Sequence, residues 1–310
     1  MSEYGLYRTA NILSRALPRR FAYWIGLRVA DSFYHRDRRG REAVMSNLRR
    51  VFAYQGQHPS DADLRRMARQ TFRHFSKYLV DFFRYGGIAS NEVKRLVHVE
   101  HLEYLDECRG LGRGVLLVSA HFGNWELGGC ALAAMGYPIK AVVLPQPAEN
   151  VDRLFQGHRR RHGLTVIPLG NSVRHVIRSL RNNECVALLA DRDYSVHDTW
   201  VPFLGAPARM PRGPAWISHA SGVPILPGFL VRRPDDTFLL RFHPPIRPAA
   251  HEDSESIQRA LSAVLEKEIC QDPVQWLMFQ DVWSPQAFKA ADHAARAPEM
   301  TSIPVGEHAP

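Results

Sequence analysis

Several familiar signals are missing from this 310-residue chain, and each absence removes a class of function. It holds four cysteines, Cys108, Cys130, Cys185 and Cys270, with no CxxC spacing and no signal peptide before them. That usage reads as reduced cytosolic thiols filling the core, not a disulfide framework or a zinc knuckle. No HExxH is present and no His/Cys pair has ligand spacing, so a metal is not expected. The G-x-S-x-G elbow of the serine hydrolases is also missing. No run of 18 apolar residues exists; the longest candidate, 21–34, is broken by Arg28 and Asp31. The chain is therefore expected to lie on a membrane, if it meets one, rather than to cross it.

Hydrophobic residues make up 45% of the sequence and charged ones 23%, enough for a sizeable core. The net charge of +9 is concentrated at one end: residues 1–50 hold eleven Arg against Glu3, Asp31, Asp37 and Glu42, a local excess of +7. Such an excess calls for an anionic partner, and an anionic membrane surface suits it. Leu6, Ala10, Leu13 and Leu17 fall at helical spacing before Pro18, and Phe21, Trp24, Ile25 and Val29 continue it afterwards. A second helix over 61–84 carries the stripe Leu64, Met67, Ala68, Thr71, Phe72, Phe75, Leu79 and Phe82, with capping-box spacing at Ser60 and Asp63.

From about residue 112, short apolar runs at 114–120, 139–144, 164–168, 185–190, 223–229 and 237–243 alternate with helical stretches near 125–135, 150–162, 172–182, 212–221 and 254–271. The fold expected is α/β: a mixed, largely parallel sheet flanked by helices, with an N-terminal helical region. The organisation expected is a helical, membrane-associating region over 1–100, a core over 101–284 and a flexible tail over 285–310.

The sharpest signal is GVLLVSAHFGNWELGG, 114–129. A buried strand runs into His121 at its carboxyl end, where open α/β sheets place their sites. In a continuous helix His121 and Glu126 would point ~140° apart. A bend at Gly123 and Asn124 would let them meet, as a base and the carboxylate that fixes its tautomer. Backbone N–H groups of Gly123 and Asn124 are candidate oxyanion donors. Arg159 and Arg160 lie on a basic helix suited to phosphates. Asp191 and Asp193 follow the strand 185–190, where they could orient Arg159 or a sugar hydroxyl.

HFGNWELGG (121–129) resembles the H-x4-D/E block of the lysophospholipid acyltransferase superfamily and is most similar to the late acyltransferases (lauroyl/myristoyl) of bacterial lipid A biosynthesis. The resemblance runs in order through REAVMSNLRRVF (41–52), RRRHGLTVIP (159–168), ECVALLADRDY (184–194), VPFLGAPARMPRGPAWISHASGVPILPGF (201–229) and DPVQWL (272–277). It implies transfer of a fatty acyl group from acyl carrier protein or coenzyme A to a membrane lipid hydroxyl. His121 would be the base with Glu126, no further cofactor would be needed, and the setting would be the cytoplasmic face of the bacterial inner membrane. The sequence departs from the usual pattern in lacking a spanning helix, in ARMPRGP (208–214) and in MFQDVW (278–283), changes that bear on the acceptor more than on the reaction. The rival readings are an acyl-thioester hydrolase, in which His121 activates water, and a nucleic-acid-binding protein using the basic N-terminus. For the latter neither a recognition helix nor an aromatic–basic sheet face is found, and no nucleic-acid partner is expected.

Overall fold

A computed structural model of the chain describes residues 3–85, 90–161, 163–169, 172–192 and 200–283. The tail expected over 285–310 lies outside them. The N-terminal third is helical: α1 (Glu3–Ala16), α2 (Arg19–Arg36), α3 (Arg38–Tyr54) and α4 (Asp61–Tyr85). Pro18 separates α1 from α2, as a ring without an N–H suits a helix start. The Asp37 carboxylate caps α3 by accepting from the Gly40 N–H at 2.9 Å. At the start of α4 the Ser60 hydroxyl accepts from the Asp63 N–H at 3.2 Å.

Small residues bring α2 close to α4. Ala22, Gly26 and Ala30 recur every four residues and face inward. The Ser76 hydroxyl donates to the Gly26 carbonyl at 2.7 Å, and a Cβ at Gly26 would collide with that hydroxyl. Asp31 holds the other end, taking paired hydrogen bonds from both Arg69 and Arg73 at 2.7–2.9 Å. These guanidinium forks hold the Asp31 carboxyl well below the usual carboxylate range.

The rest of the chain alternates strand and helix. After α5 (Ser90–Leu96) come β1 (Val97–Glu100), α6 (Glu103–Gly110), β2 (Val115–Ser119), α7 (Trp125–Ala134), β3 (Ile139–Val143), α8 (Glu149–Arg161), β4 (Thr165–Pro168), α9 (Ser172–Arg181) and β5 (Cys185–Leu189). A small antiparallel hairpin follows, β6 (Trp200–Phe203) and β7 (Ala206–Arg209), then α10 (Gly213–Ser221), β8 (Ile225–Arg232), β9 (Phe238–Phe242) and α11 (Ser254–Gln271). Seven strands form one sheet in the order β1-β9-β8-β2-β5-β3-β4, parallel throughout except between β8 and β9. The fold class expected from the sequence is therefore the one observed. One boundary differs: β1, inside the stretch assigned to the N-terminal helices, is an edge strand of this sheet.

The four residues Val115 to Val118 of β2 are all buried, because helices cover both faces. Leu116 and Val118 join the cluster built with α9, α10 and α11; Val115 and Leu117 join the one built with α6 and α7. Three of the four cysteines are buried and the fourth half-buried, all as free thiols. Burial pushes the Cys108 thiol up to about 11 and the Cys185 thiol to about 12, which suits inert packing residues.

The helical third is joined to the sheet by a buried ion pair. Arg232, at the end of β8, meets Asp81 of α4, which is fully buried. Tyr23 of α2 donates to Asp81 at 2.5 Å and accepts from Arg232 at 3.1 Å. Removing one partner strands a charge in the interior, so Asp81→Ala is expected to cost about 3–5 kcal/mol in urea unfolding. A double replacement, Asp81→Leu with Arg232→Met, should recover most of that loss; a double variant as unstable as the single would show that the charge pair is not the source.

Candidate active site

His121 follows β2, and Asp191 follows β5. The two strands pair in register with a constant offset of 70 residues, from Val115 opposite Cys185 to Ser119 opposite Leu189. Two steps further, the same offset sets Asp191 beside His121. The His121 Nδ1 lies 2.8 Å from Asp191 Oδ1, and the His121 backbone N–H donates to Oδ2 at 2.8 Å. A third donor, the Trp276 indole N–H, reaches Oδ2 at 2.9 Å. A carboxylate accepts only, so Nδ1 carries the proton of this contact, and in the neutral ring the lone pair is at Nε2. Burial alone would push the fully buried Asp191 carboxyl up; the attraction of His121 and the three hydrogen bonds outweigh it and hold the carboxyl below its ordinary value.

This corrects the pairing expected from the sequence. Glu126 does bend back from α7, but onto Arg159 and not onto His121. The Arg159 Nε donates to both Glu126 oxygens at 3.1 and 3.2 Å, and its Nη2 to Oε1 at 2.5 Å. The reason lies in the helix: Glu126 sits in the first turn of α7 on the side that α8 covers, and a buried guanidinium waits there. Both side chains are about nine-tenths buried. Burial works against the Arg159 charge, and Glu126 more than compensates.

The loop between His121 and α7 is fixed at every point. Leu277 N–H donates to the His121 carbonyl at 2.7 Å, Gly123 N–H to the Gln275 carbonyl at 2.9 Å and Asn124 N–H to the Leu230 carbonyl at 2.9 Å. Gly123 has φ 61°, and a Cβ there would land on the Leu230 carbonyl oxygen, so only glycine fits. The Asn124 side chain caps α7 through the Leu127 N–H at 3.2 Å and turns its amide toward Asp81 at 3.4 Å. The Gly123 and Asn124 amides are therefore engaged in holding the loop and are not available as oxyanion donors, a second correction. Arg160 is exposed and does not line the site, while Asp193 lies outside the described residues.

His121, Trp125, Glu126 and Arg159 border a cleft of about 880 Å³. Its walls are mostly apolar and come from both faces of the sheet. On the α7 side they include Leu117, Gly128, Gly129, Leu132, Ile139 and Ala187; on the other, Val118, Val142, Val176, Leu188 and Ile217. The His121 ring stands edge-on to Trp125 at 5.1 Å, and Trp125 stacks on Tyr78 at 4.4 Å. A histidine with one nitrogen tethered to a buried carboxylate and the other without a partner among the described residues, at the mouth of an apolar cleft, can take a proton from a hydroxyl or water beside a long apolar ligand.

Two measurements separate the carboxylates. Glu126→Gln leaves the buried Arg159 charge without a counter-charge and is expected to cost about 3–5 kcal/mol of stability; a variant as stable as wild type would remove the structural role. Asp191 has a depressed folded-state value, so its contribution to stability is complete above the ordinary carboxyl value of 3.8 and is lost as pH falls through the lower folded-state value. The gap in urea midpoint between wild type and Asp191→Asn should therefore be constant near neutral pH and close in acid. A gap that widens in acid would reverse the sign argued here.

The sequence over residues 3–284 matches the family described as bacterial lipid A biosynthesis acyltransferase. The chain is similar to the phosphatidylinositol mannoside acyltransferase of Mycolicibacterium smegmatis, 27% identical over 277 residues covering 87% of this chain and 88% of that one. The same enzyme of Mycobacterium tuberculosis H37Rv is 27% identical over 296 residues, covering 89% and 87%. The lipid A biosynthesis palmitoleoyltransferase of Escherichia coli K12 is 24% identical over 275 residues, covering 88% and 86%. With nearly the whole described chain inside that match, the protein belongs to the bacterial lipid A biosynthesis acyltransferase family.

Proposed function

We propose that this acyltransferase moves a fatty acyl group from an acyl carrier protein or coenzyme A thioester to a hydroxyl of a membrane glycolipid, with His121 as general base and Asp191 as its orienting partner. The observation that carries the reading is the His121–Asp191 pair opening on a largely apolar cleft of about 880 Å³. In the step proposed, His121 Nε2 takes the acceptor's hydroxyl proton as the oxygen attacks the thioester carbonyl carbon. The carbon–sulfur bond then breaks, and the thiolate leaves with the proton from Nε2. Asp191 stabilises the imidazolium formed in between. Glu126 and Arg159 act by holding the first turn of α7 against α8. An acceptor of lipid A or phosphatidylinositol mannoside type follows from the similarity to the phosphatidylinositol mannoside acyltransferase and the lipid A biosynthesis palmitoleoyltransferase. Thioester donors of this kind are cytoplasmic, which sets the reaction at the cytoplasmic leaflet.

The membrane contact is proposed at α1 and α2. Ile12, Leu13, Phe21, Trp24, Val29 and Phe33 are exposed there by 38–60%, and Ile25 is half-buried. Exposed Arg8, Arg15, Arg20, Arg28 and Arg36 lie among them, and the only acid of α2, Asp31, is already neutralised by Arg69 and Arg73. Each arginine near an anionic surface contributes about 1 kcal/mol, and the aromatic side chains add a contact that salt does not screen. No described helix is long and apolar enough to cross a membrane.

His121→Ala is expected to lower acyl transfer about 100-fold or more and to lower the urea midpoint as well, because the buried Asp191 loses a partner, while the circular dichroism spectrum stays native; a folded, fully active variant would remove the base. Turnover of the thioester should depend on the lipid acceptor, since acceptor-independent release of free fatty acid would make the protein a hydrolase. Deleting the first forty residues would uncover the buried face of α4, so point changes are the better test of docking. Phe21→Ser with Trp24→Ser should release the protein from vesicles containing phosphatidylglycerol yet spare activity on a detergent-dispersed acceptor. Unchanged vesicle binding would move the membrane contact elsewhere.

A further inference from the structure

Attack on a thioester puts negative charge on the carbonyl oxygen, and a site that makes this fast supplies a hydrogen-bond donor to it. Several donors around His121 are already engaged. Its own amide and the Trp276 indole serve Asp191; the Gly123, Asn124 and Leu127 amides hold the loop and cap α7. Among the shielded side-chain atoms of the described residues that line the cleft, one stands without a partner. Ser119, the last residue of β2 and two before His121, lines the cleft, and its hydroxyl oxygen is shielded from solvent with no hydrogen-bond partner among the described residues.

Such an orphan is unusual, since buried hydroxyls nearly always find a partner. Strand alternation puts Ser119 on the same face as Leu117, toward the α7 branch of the cleft. The residue is itself part-exposed at the cleft wall. A serine hydroxyl has three staggered χ1 positions, so it is not confined to the shielded one.

We propose that the Ser119 hydroxyl donates a hydrogen bond to the thioester carbonyl oxygen of the bound acyl donor, and so stabilises the oxyanion formed when the acceptor attacks. This rests on the acyl-transfer reading above. Ser119 neither gains nor loses its proton: it donates to the oxygen while the tetrahedral carbon exists. The carbonyl reforms as the carbon–sulfur bond breaks, and the thiolate takes its proton from His121 Nε2.

The test uses the full chain with palmitoyl-coenzyme A and a detergent-dispersed bacterial inner-membrane lipid extract, comparing wild type, Ser119→Ala, Ser119→Cys and His121→Ala. Ser119→Ala is expected to lose about 100-fold in kcat, as when one oxyanion donor is removed. KM for the donor should change little. Its melting temperature should equal or exceed that of wild type, because the hydroxyl removed had no partner to lose. Ser119→Cys, a weaker donor of similar size, should fall between the two. Palmityl-coenzyme A thioether, which has no carbonyl, should bind wild type and Ser119→Ala alike. Wild-type turnover by Ser119→Ala beside an inactive His121→Ala would overturn this role and leave the reaction standing; wild-type turnover by both would sink the reaction itself. Loss of folding in both serine variants would make the hydroxyl structural. A palmitoyl adduct on Ser119 in intact-mass spectra would make it a nucleophile, and either result would end the proposal.

Discussion

The buried carboxylate of Asp191 is the point on which the site depends. It takes a side-chain donor and a backbone donor from His121 and an indole donor from Trp276, so it fixes the imidazole, the end of β2 and the segment after α11 at once. A fully buried carboxylate is costly unless its lone pairs are met, and here three donors converge on two oxygens. The same hydrogen bonds that make the charge tolerable also set the tautomer of the imidazole. Burial of the carboxylate and orientation of the ring are in this sense one requirement: opening the pocket to water would weaken the grip on the imidazole, and losing the imidazole would leave the charge without its main partner.

Much of the fold was legible because its strands are buried on both faces. The run 115–119 and its counterparts are near-continuous apolar stretches of the length that parallel strands have, and α9 to α11 begin and end within two residues of their expected limits. The weaker elements are short or irregular. β1 is the four-residue edge strand VHVE, two of whose side chains face outward, and it resembles the end of a helix in sequence. α3 buries Val44, Leu48 and Val51 along one face, although in the sequence its residues stand out only as the run 41–52.

The site was half legible for a different reason. His121 announces itself by position, at the end of an apolar strand. Its partner does not, because Glu126 is five residues away and Asp191 is seventy. Local spacing favoured the near carboxylate. What decides the matter is that β2 pairs with β5 instead of with β3, which follows it in the chain. That choice is a property of the whole sheet, and no window around His121 contains it. Once the pairing is known, the match of two apolar runs, each ending in Ala followed by a polar residue, gives the His121–Asp191 contact directly.

The N-terminal helices belong to this same arrangement rather than being an addition to it. On α2, Phe21 and Trp24 face outward, while Tyr23 between them turns inward to Asp81. Asp81 in turn meets Arg232 and the Asn124 amide, and Asn124 is the cap of α7, three residues after His121. The peptide groups of Arg232 and Leu230 are tied to Gln275 and Asn124, so β8 is held to the same loop from its other side. A hydrophobic, arginine-rich helix face and the base of the site are thus separated by one tyrosine, one carboxylate and one amide, all buried. Each link is a hydrogen bond in a low-dielectric interior, where a shift of one group cannot be absorbed by water. The orientation of α2 and the orientation of the His121 loop are therefore set together.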